Sequence, residues 1–186
     1  MLIVEDGNGV VGAESYVTVA EADAYHLKMG NDQWPQPPAS TPEDPTPEDP
    51  NLSKKEASLR RGAIYLDSYT VTRGVPGTKL NPKQGLLFPL VGAVDIFGNP
   101  IDGVPDIYKN AQNEVALLSY TGVQLAATVT AGPLLKRKKV DVLEKEWFEG
   151  SYSQAPIFGW LDNMLAGLFG MPVDDNELVI AQVQRS

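Results

Sequence analysis

The stretch LNPKQGLLFPLVGAVDIFGNPIDGVPDIYKNAQNEVALLSY, residues 80–120, decides the fold. Its first half is crowded with turn formers, Asn81-Pro82 and Gly98-Asn99-Pro100. Pro82, Pro89, Pro100 and Pro105 each keep the preceding residue out of helical geometry. Between them Leu86, Leu87, Phe88, Leu90, Val91, Val94, Ile96 and Phe97 form an apolar run without helical spacing. Free loops carry solvated polar residues, so a loop this hydrophobic is expected to be pinned onto a core. From Pro105 the pattern changes to a helix, with Pro and Asp106 both favourable in its first turn. Ile107, Ala111, Val115 and Leu118 recur at i, i+4, i+8 and i+11 as its apolar face. Lys109, Asn110, Gln112 and Asn113 take the other side, and Gly122 stops the helix. A loop clamped on an amphipathic helix is scaffold chemistry.

Upstream, Ser53 and Glu56 have the spacing of a capping box, opening a helix with Leu59, Ala63 and Leu66 on one face. Lys54, Lys55, Arg60 and Arg61 are assigned to its solvated side. Before it, residues 31–52 read as a linker. It runs through Trp34-Pro35-Gln36-Pro37-Pro38 into the tandem repeat TPEDPTPEDP, residues 41–50. Proline density holds such a segment extended and its carboxylates keep it solvated, so residues 35–50 are expected to be a passive surface insertion. Trp34 is expected to fold back onto the core. Thr18 and Glu21 form another capping box, opening a helix with Ala22, Tyr25 and Met29 that Gly30 ends. His26, the single histidine, lacks partners for catalysis or metal binding and reads as a surface or half-buried residue. Residues 1–17 suggest a small hairpin or extended arm around Gly7-Asn8-Gly9.

Downstream, the basic run Lys136-Arg137-Lys138-Lys139 is followed by Glu144 and Glu146. A hairpin over residues 136–149 would set the basic strand against the acidic one, where opposite charges help. The last helix, about Ile157 to Phe169, carries Trp160, Leu161, Met164, Leu165, Leu168 and Phe169 around most of its circumference. A helix apolar all round is buried on all sides, and one small domain rarely covers every side. These six residues are therefore the candidate interface. One stripe would pack on the subunit's own core and the other on a neighbouring subunit or on the portal of a virion. Residues 171–186 form a tail with a strand-like segment at residues 178–183.

A chain of 186 residues can bury one core, and the whole reads as a single domain. The fold class expected is mainly α, about four helices with a long ordered Gly/Pro-rich loop and a short β-hairpin. No apolar run approaches the roughly 20 residues that span a bilayer. There is no cysteine, nucleophile elbow, phosphate loop or histidine pair, so neither an enzyme nor a metal or other cofactor is expected. The net charge of −9 disfavours non-specific binding to phosphates.

Several stretches resemble a tailed-phage virion family. They are Ser15-Tyr16-Val17-Thr18-Val19-Ala20-Glu21-Ala22-Asp23-Ala24-Tyr25, Ala63-Ile64-Tyr65-Leu66-Asp67, Leu87-Phe88-Pro89, the Ile101-to-Pro105 approach and the Ala111-to-Leu118 helix. Lys136 to Val140 and Glu146-Trp147-Phe148 extend the likeness over nearly the whole chain. This family is often labelled DnaT-like single-stranded-DNA-binding. The resemblance implies a head-to-tail adaptor, or head-completion protein, at the head–tail junction of a virion made in the host cytoplasm. Its expected partners are further copies in a ring of about twelve, the portal above, and a tail, stopper or nozzle protein below. DNA would pass through the lumen without tight binding, repelled by an acidic wall. No membrane is expected. The alternative is a DnaT-like single-stranded-DNA-binding protein using Lys136 to Lys139 with stacking from Trp147 or Tyr152. The TPEDPTPEDP insertion departs from the family pattern and inherits no role.

Overall fold

The structure is a computed structural model. It describes residues 1–45, 47–74, 77–125, 138–140, 143–145 and 158–169. In chain order these hold α1 (Val19–Met29), α2 (Leu52–Val71), β1 (Thr78–Lys79), β2 (Leu90–Val91), α3 (Asp106–Tyr120), β3 (Lys138–Val140), β4 (Leu143–Lys145) and α4 (Gly159–Phe169). Both strand pairs are antiparallel and short. The domain is mainly α with four helices and a small hairpin, as expected. The expected tail strand lies outside the described residues, and no described helix is long and apolar enough to cross a membrane.

The α2–α3 pair is the spine, and Gly62 sets how closely the two helices cross. A Cβ there would come within 3.1 Å of the Gln112 carbonyl oxygen and 3.2 Å of the Ala116 nitrogen. Leu59, Ala63 and Leu66 are buried, as their spacing predicts. The α3 face is wider than its apolar residues suggest. Gln112 and Asn113, expected outside, are buried, whereas Ile107 and Leu118 are only partly so. The reason for Gln112 is hydrogen bonding. Its Oε1 accepts from the Tyr16 N–H at 2.9 Å, and its Nε2 donates to Ser15 Oγ at 2.7 Å and to the Leu59 carbonyl at 3.0 Å. One fully satisfied amide thus ties the N-terminal arm, α2 and α3 together.

The capping box of α1 forms in both directions between Thr18 and Glu21, and Gly30 closes that helix at φ +69°. The box expected at Ser53 and Glu56 does not form. The N-cap of α2 is Asn51, and the Glu56 carboxylate instead meets the N-terminal amine and Arg60, each at 3.4 Å. The N-terminal arm makes an isolated bridge at Val4 and Ser15 rather than a named strand. Its turn wraps the buried Glu5, whose carboxylate accepts from the Gly7, Gly9 and Val10 N–H groups at 2.8–3.0 Å.

The loop ahead of α3 is pinned through its first half and, beyond it, at Ala93 and Ile101. Leu86, Phe88 and Leu90 are buried, but Val91, Val94, Ile96 and Phe97 are exposed, Phe97 at 76%. The difference lies with Gln84. Its buried amide donates to the Leu86, Leu87 and Pro89 carbonyls at 2.9–3.1 Å and satisfies backbone that would otherwise be orphaned. The Phe88–Pro89 peptide bond is cis. Beyond it, Asp95 builds its own turn by accepting from the Phe97 and Asn99 N–H groups, which holds Ile96 and Phe97 outward.

The proline-rich insertion is exposed through its middle but is not passive. Lys55, expected on a solvated face, is completely buried, and its Nζ lies 2.7 Å from both Asp23 Oδ1 and Asp49 Oδ2. Trp34 is buried as expected and donates from Nε1 to the same Asp23 oxygen at 2.6 Å, while Gln36 Nε2 reaches the Asp23 carbonyl at 3.2 Å. Residues 36–49 therefore leave from and return to Asp23. Asp49 belongs to the second TPEDP copy, so the two copies are unequal. Deleting residues 41–45 should move the melting temperature by no more than about 2 °C, because loop length costs little. Deleting residues 41–50 also removes the charge-assisted bond to Lys55 and should cost about 1.5–3 kcal/mol in urea titrations.

Candidate interaction surface on α2 and α4

The uncovered side of α2 is a line of residues at helical spacing, Arg61, Ile64, Ser68 and Val71. Ile64 and Val71 are among the exposed large hydrophobic residues of the chain. α4 docks on the core and meets the α2 region through Tyr65, Tyr69 and Arg73. Leu161 and Leu165 are fully inside, and Met164, Leu168 and Phe169 pack partly buried against the same cluster. Phe169 lies 6.3 Å from Phe88 and 6.4 Å from Tyr108, measured between ring centroids. Of the six residues expected at an interface, Trp160 is the one that remains exposed, at 38%.

A polar clamp fixes how α4 is rotated. Arg73 donates to Asp162 Oδ1 from Nε at 3.1 Å and from Nη2 at 2.5 Å, and the Tyr69 hydroxyl donates to the same oxygen. The Arg73 guanidinium also stacks over the Tyr69 ring at 3.4 Å. Burial, reinforced by the bond to Asp162, pushes the Tyr69 hydroxyl well above the usual phenol range, so it stays a donor. With α4 so placed, four aromatic rings run across the junction. Tyr69 to Tyr65, Tyr65 to Phe158 and Phe158 to Trp160 are 5.9, 5.8 and 6.0 Å apart. Such a ladder, ending in an exposed indole, can take up an apolar or flat partner.

Cationic help at this surface is scarce. Arg73 is committed to Asp162, and Arg60 to Glu14 and Glu56. Lys55 is buried in its own ion pairs, leaving Arg61 as the exposed cation on this line of α2. The charged hairpin is described only in part. In its backbone register Lys139 stands opposite Glu144, the expected unlike pair, whereas Lys138 stands opposite Lys145. Lys136, Arg137, Glu146, Trp147 and Tyr152 lie outside the described residues.

The half-buried Asp67 and the buried His26 have structural seats. Asp67 accepts from the Tyr16 hydroxyl at 2.6 Å and the Leu87 N–H at 2.8 Å, and the Tyr108 hydroxyl lies 2.9 Å away. Burial pushes this carboxyl up while those donors oppose the shift. Tyr16 and Tyr108 are closed to solvent, so the cluster is a structural lock between the arm, α2, α3 and the loop. His26, expected near the surface, is fully buried against Trp34 at 4.6 Å between ring centroids. Burial pulls its imidazole down to about 4, so it is neutral near pH 7. Among the described residues no three His, Cys, Asp or Glu side chains gather as a metal site.

Four helices, a half-pinned loop and a short hairpin define a small mainly α domain with one partly apolar, aromatic surface. A family model described as "Putative DnaT-like ssDNA binding protein" matches residues 1–186, and the chain belongs to that family. No curated protein and no solved structure matches it. The family description names single-stranded-DNA binding, the alternative of the sequence reading, and names no adaptor.

Proposed function

We propose that the chain is a structural subunit of a tailed-phage particle, a head-to-tail adaptor whose copies form a ring beneath the portal. The observation that carries this reading is the combination on α2 and α4. Ile64, Val71 and Trp160 are uncovered, while Arg60 and Arg73 are spent on internal carboxylates and Arg61 is the one exposed cation on this line of α2. A surface of that kind suits protein contacts, where aromatic anchors contribute most of the affinity. It suits phosphate poorly, because phosphate binding draws on uncommitted Lys and Arg. The net charge of −9 fits a wall past which DNA slides. The resemblance to virion proteins supports a place in the particle.

The second reading, single-stranded-DNA binding, has the family description in its favour, and the ring ladder gives it a stacking platform. Fluorescence anisotropy with labelled single-stranded oligonucleotides at physiological salt separates the two. The adaptor reading expects no binding tighter than about 10⁻⁶ M. Tighter, salt-sensitive binding that is lost in both Trp160→Ala and Lys138→Glu would establish the second reading in its place.

A further inference from the structure

The second half of the loop ahead of α3 is a small hairpin in its own right. The Asp95 N–H donates to the Asn99 carbonyl at 2.9 Å, the Gly98 N–H to the Asp95 carbonyl at 3.0 Å, and the Ile101 N–H to the Ala93 carbonyl at 2.9 Å. Val94 bridges Pro100 between them. Gly98 takes φ +83° at the turn, and the Asp95 carboxylate accepts from the Phe97 and Asn99 N–H groups and from the Asn99 amide. Ala93 and Ile101 root both limbs in the core. The tip therefore stands out on a fixed base, with Ile96 at 52% and Phe97 at 76% exposure. An ordered tip loses little entropy on docking. Large apolar side chains gathered and held out in this way mark a contact surface rather than a solvated turn.

Charge selects what covers it. No Lys or Arg occurs between Lys83 and Lys109, so the only charges on the hairpin are carboxylates. Asp102, at its base, is exposed and makes no ion pair among the described residues. The outer line of α2 has the opposite character. Arg61 is exposed there, equally without an ion pair among the described residues, and precedes Ile64 by one turn. Ile64 and Val71 are exposed, and the line Arg61, Ile64, Ser68 and Val71 contains no carboxylate. An apolar tip with uncompensated negative charge thus matches an apolar line with uncompensated positive charge on the same chain. Phe97 has no part in the ring ladder of α2 and α4, so the two are distinct surfaces. We propose that the hairpin tip of one copy packs Ile96 and Phe97 on Ile64 of a second copy, with Asp102 facing Arg61. The contact joins two unlike surfaces, which is the kind that closes rings. It names the subunit contact for the adaptor reading and rests on that reading for its place in a particle.

The chain has no cysteine, so single thiols can be placed without background. An Ile96→Cys chain mixed with a Ser68→Cys chain and treated with a short bismaleimide should give a joined pair that neither chain gives alone. Ser68 is exposed one turn from Ile64, and both substitutions spare Phe97 and Ile64. Adding Phe97→Asp to the first chain should cut the yield at least about tenfold, as loss of an aromatic anchor does, whereas Phe97→Leu should keep most of it. In sedimentation velocity, Asp102→Arg or Arg61→Asp should each weaken self-association, and the two in one chain should restore it. Circular dichroism checks that these exposed substitutions leave the helices intact. Absence of a joined pair at about 1 mM chain would overturn the proposal. Equal joining within either variant alone, or a yield indifferent to Phe97→Asp, would overturn it as well. Sedimentation with phosphatidylcholine vesicles that depends on Phe97, without joined pairs, would assign the tip to a lipid surface instead. These measurements use the purified full chain alone, whereas the adaptor reading is judged in particles, so the two failures are separate results.

Discussion

Lys55→Met should lower the unfolding free energy by about 3 kcal/mol, because removing one member of a buried ion network strands its partners. Asp23 and Asp49 both lie 2.7 Å from the Lys55 ammonium, whose side chain has no exposure at all. Without it two carboxylates face each other at the α1–α2 junction, and the Trp34 indole N–H is the remaining donor recorded at Asp23 Oδ1. Methionine has similar length, so packing is largely kept and the loss reports charge. Urea unfolding of native and variant chains measures it. Adding Asp23→Asn and Asp49→Asn to Lys55→Met should recover a good part of the loss, since hydrophobic or neutral replacements of whole buried networks are often tolerated. A loss below about 1 kcal/mol for Lys55→Met would mean that water reaches the network and that its carboxylates are solvated.

Trp160→Asp should leave a folded subunit that is absent from purified particles. The indole is 38% exposed at the end of the aromatic ladder, so a carboxylate there stays hydrated in the free subunit. At a protein contact the same carboxylate would be desolvated without a partner, and a central aromatic anchor is worth about 2 kcal/mol or more per contact. Repeated around the proposed ring, that loss is expected to stop assembly. Leu161→Asp is the contrasting case. Leu161 is buried in the subunit's own core, and its replacement should unfold the monomer. Complementation of particles lacking the native gene, followed by blotting for the subunit and counting of joined heads and tails, reads both. Normal incorporation of Trp160→Asp would remove the α2–α4 surface from the assembly interface. Expected and observed placement of α4 differ in one respect that matters here. Its uncovered face is Gly159, Trp160, Asn163 and Gly167, so one aromatic residue rather than a whole apolar stripe is available.

Local chemistry made much of this fold legible in the sequence. Thr18 and Glu21 are three residues apart and bond each other's backbone within one turn. Gly30 takes a positive φ for want of a Cβ, and Leu59, Ala63 and Leu66 share a face by helical period alone. These depend on neighbours along the chain. The seat of Lys55 does not. Lysine on a helix reads as solvated until Asp23 and Asp49 approach from segments 32 residues before it and 6 residues before it, where their combined charge makes burial tolerable. Gln112 likewise reads as surface until Ser15, Tyr16 and Leu59, up to 97 residues distant in sequence, use both its donors and one acceptor site. In the apolar run, residues 86–97 are uniformly hydrophobic, but Gln84 pins only the first part, and the Asp95 turn points Phe97 at solvent. The sequence by itself determined the helices, the caps of α1 and the acidic balance, because those follow from spacing and composition. Which polar groups lie inside, and which apolar ones remain outside, was decided by tertiary structure. Burial is a property of what arrives from elsewhere in the chain.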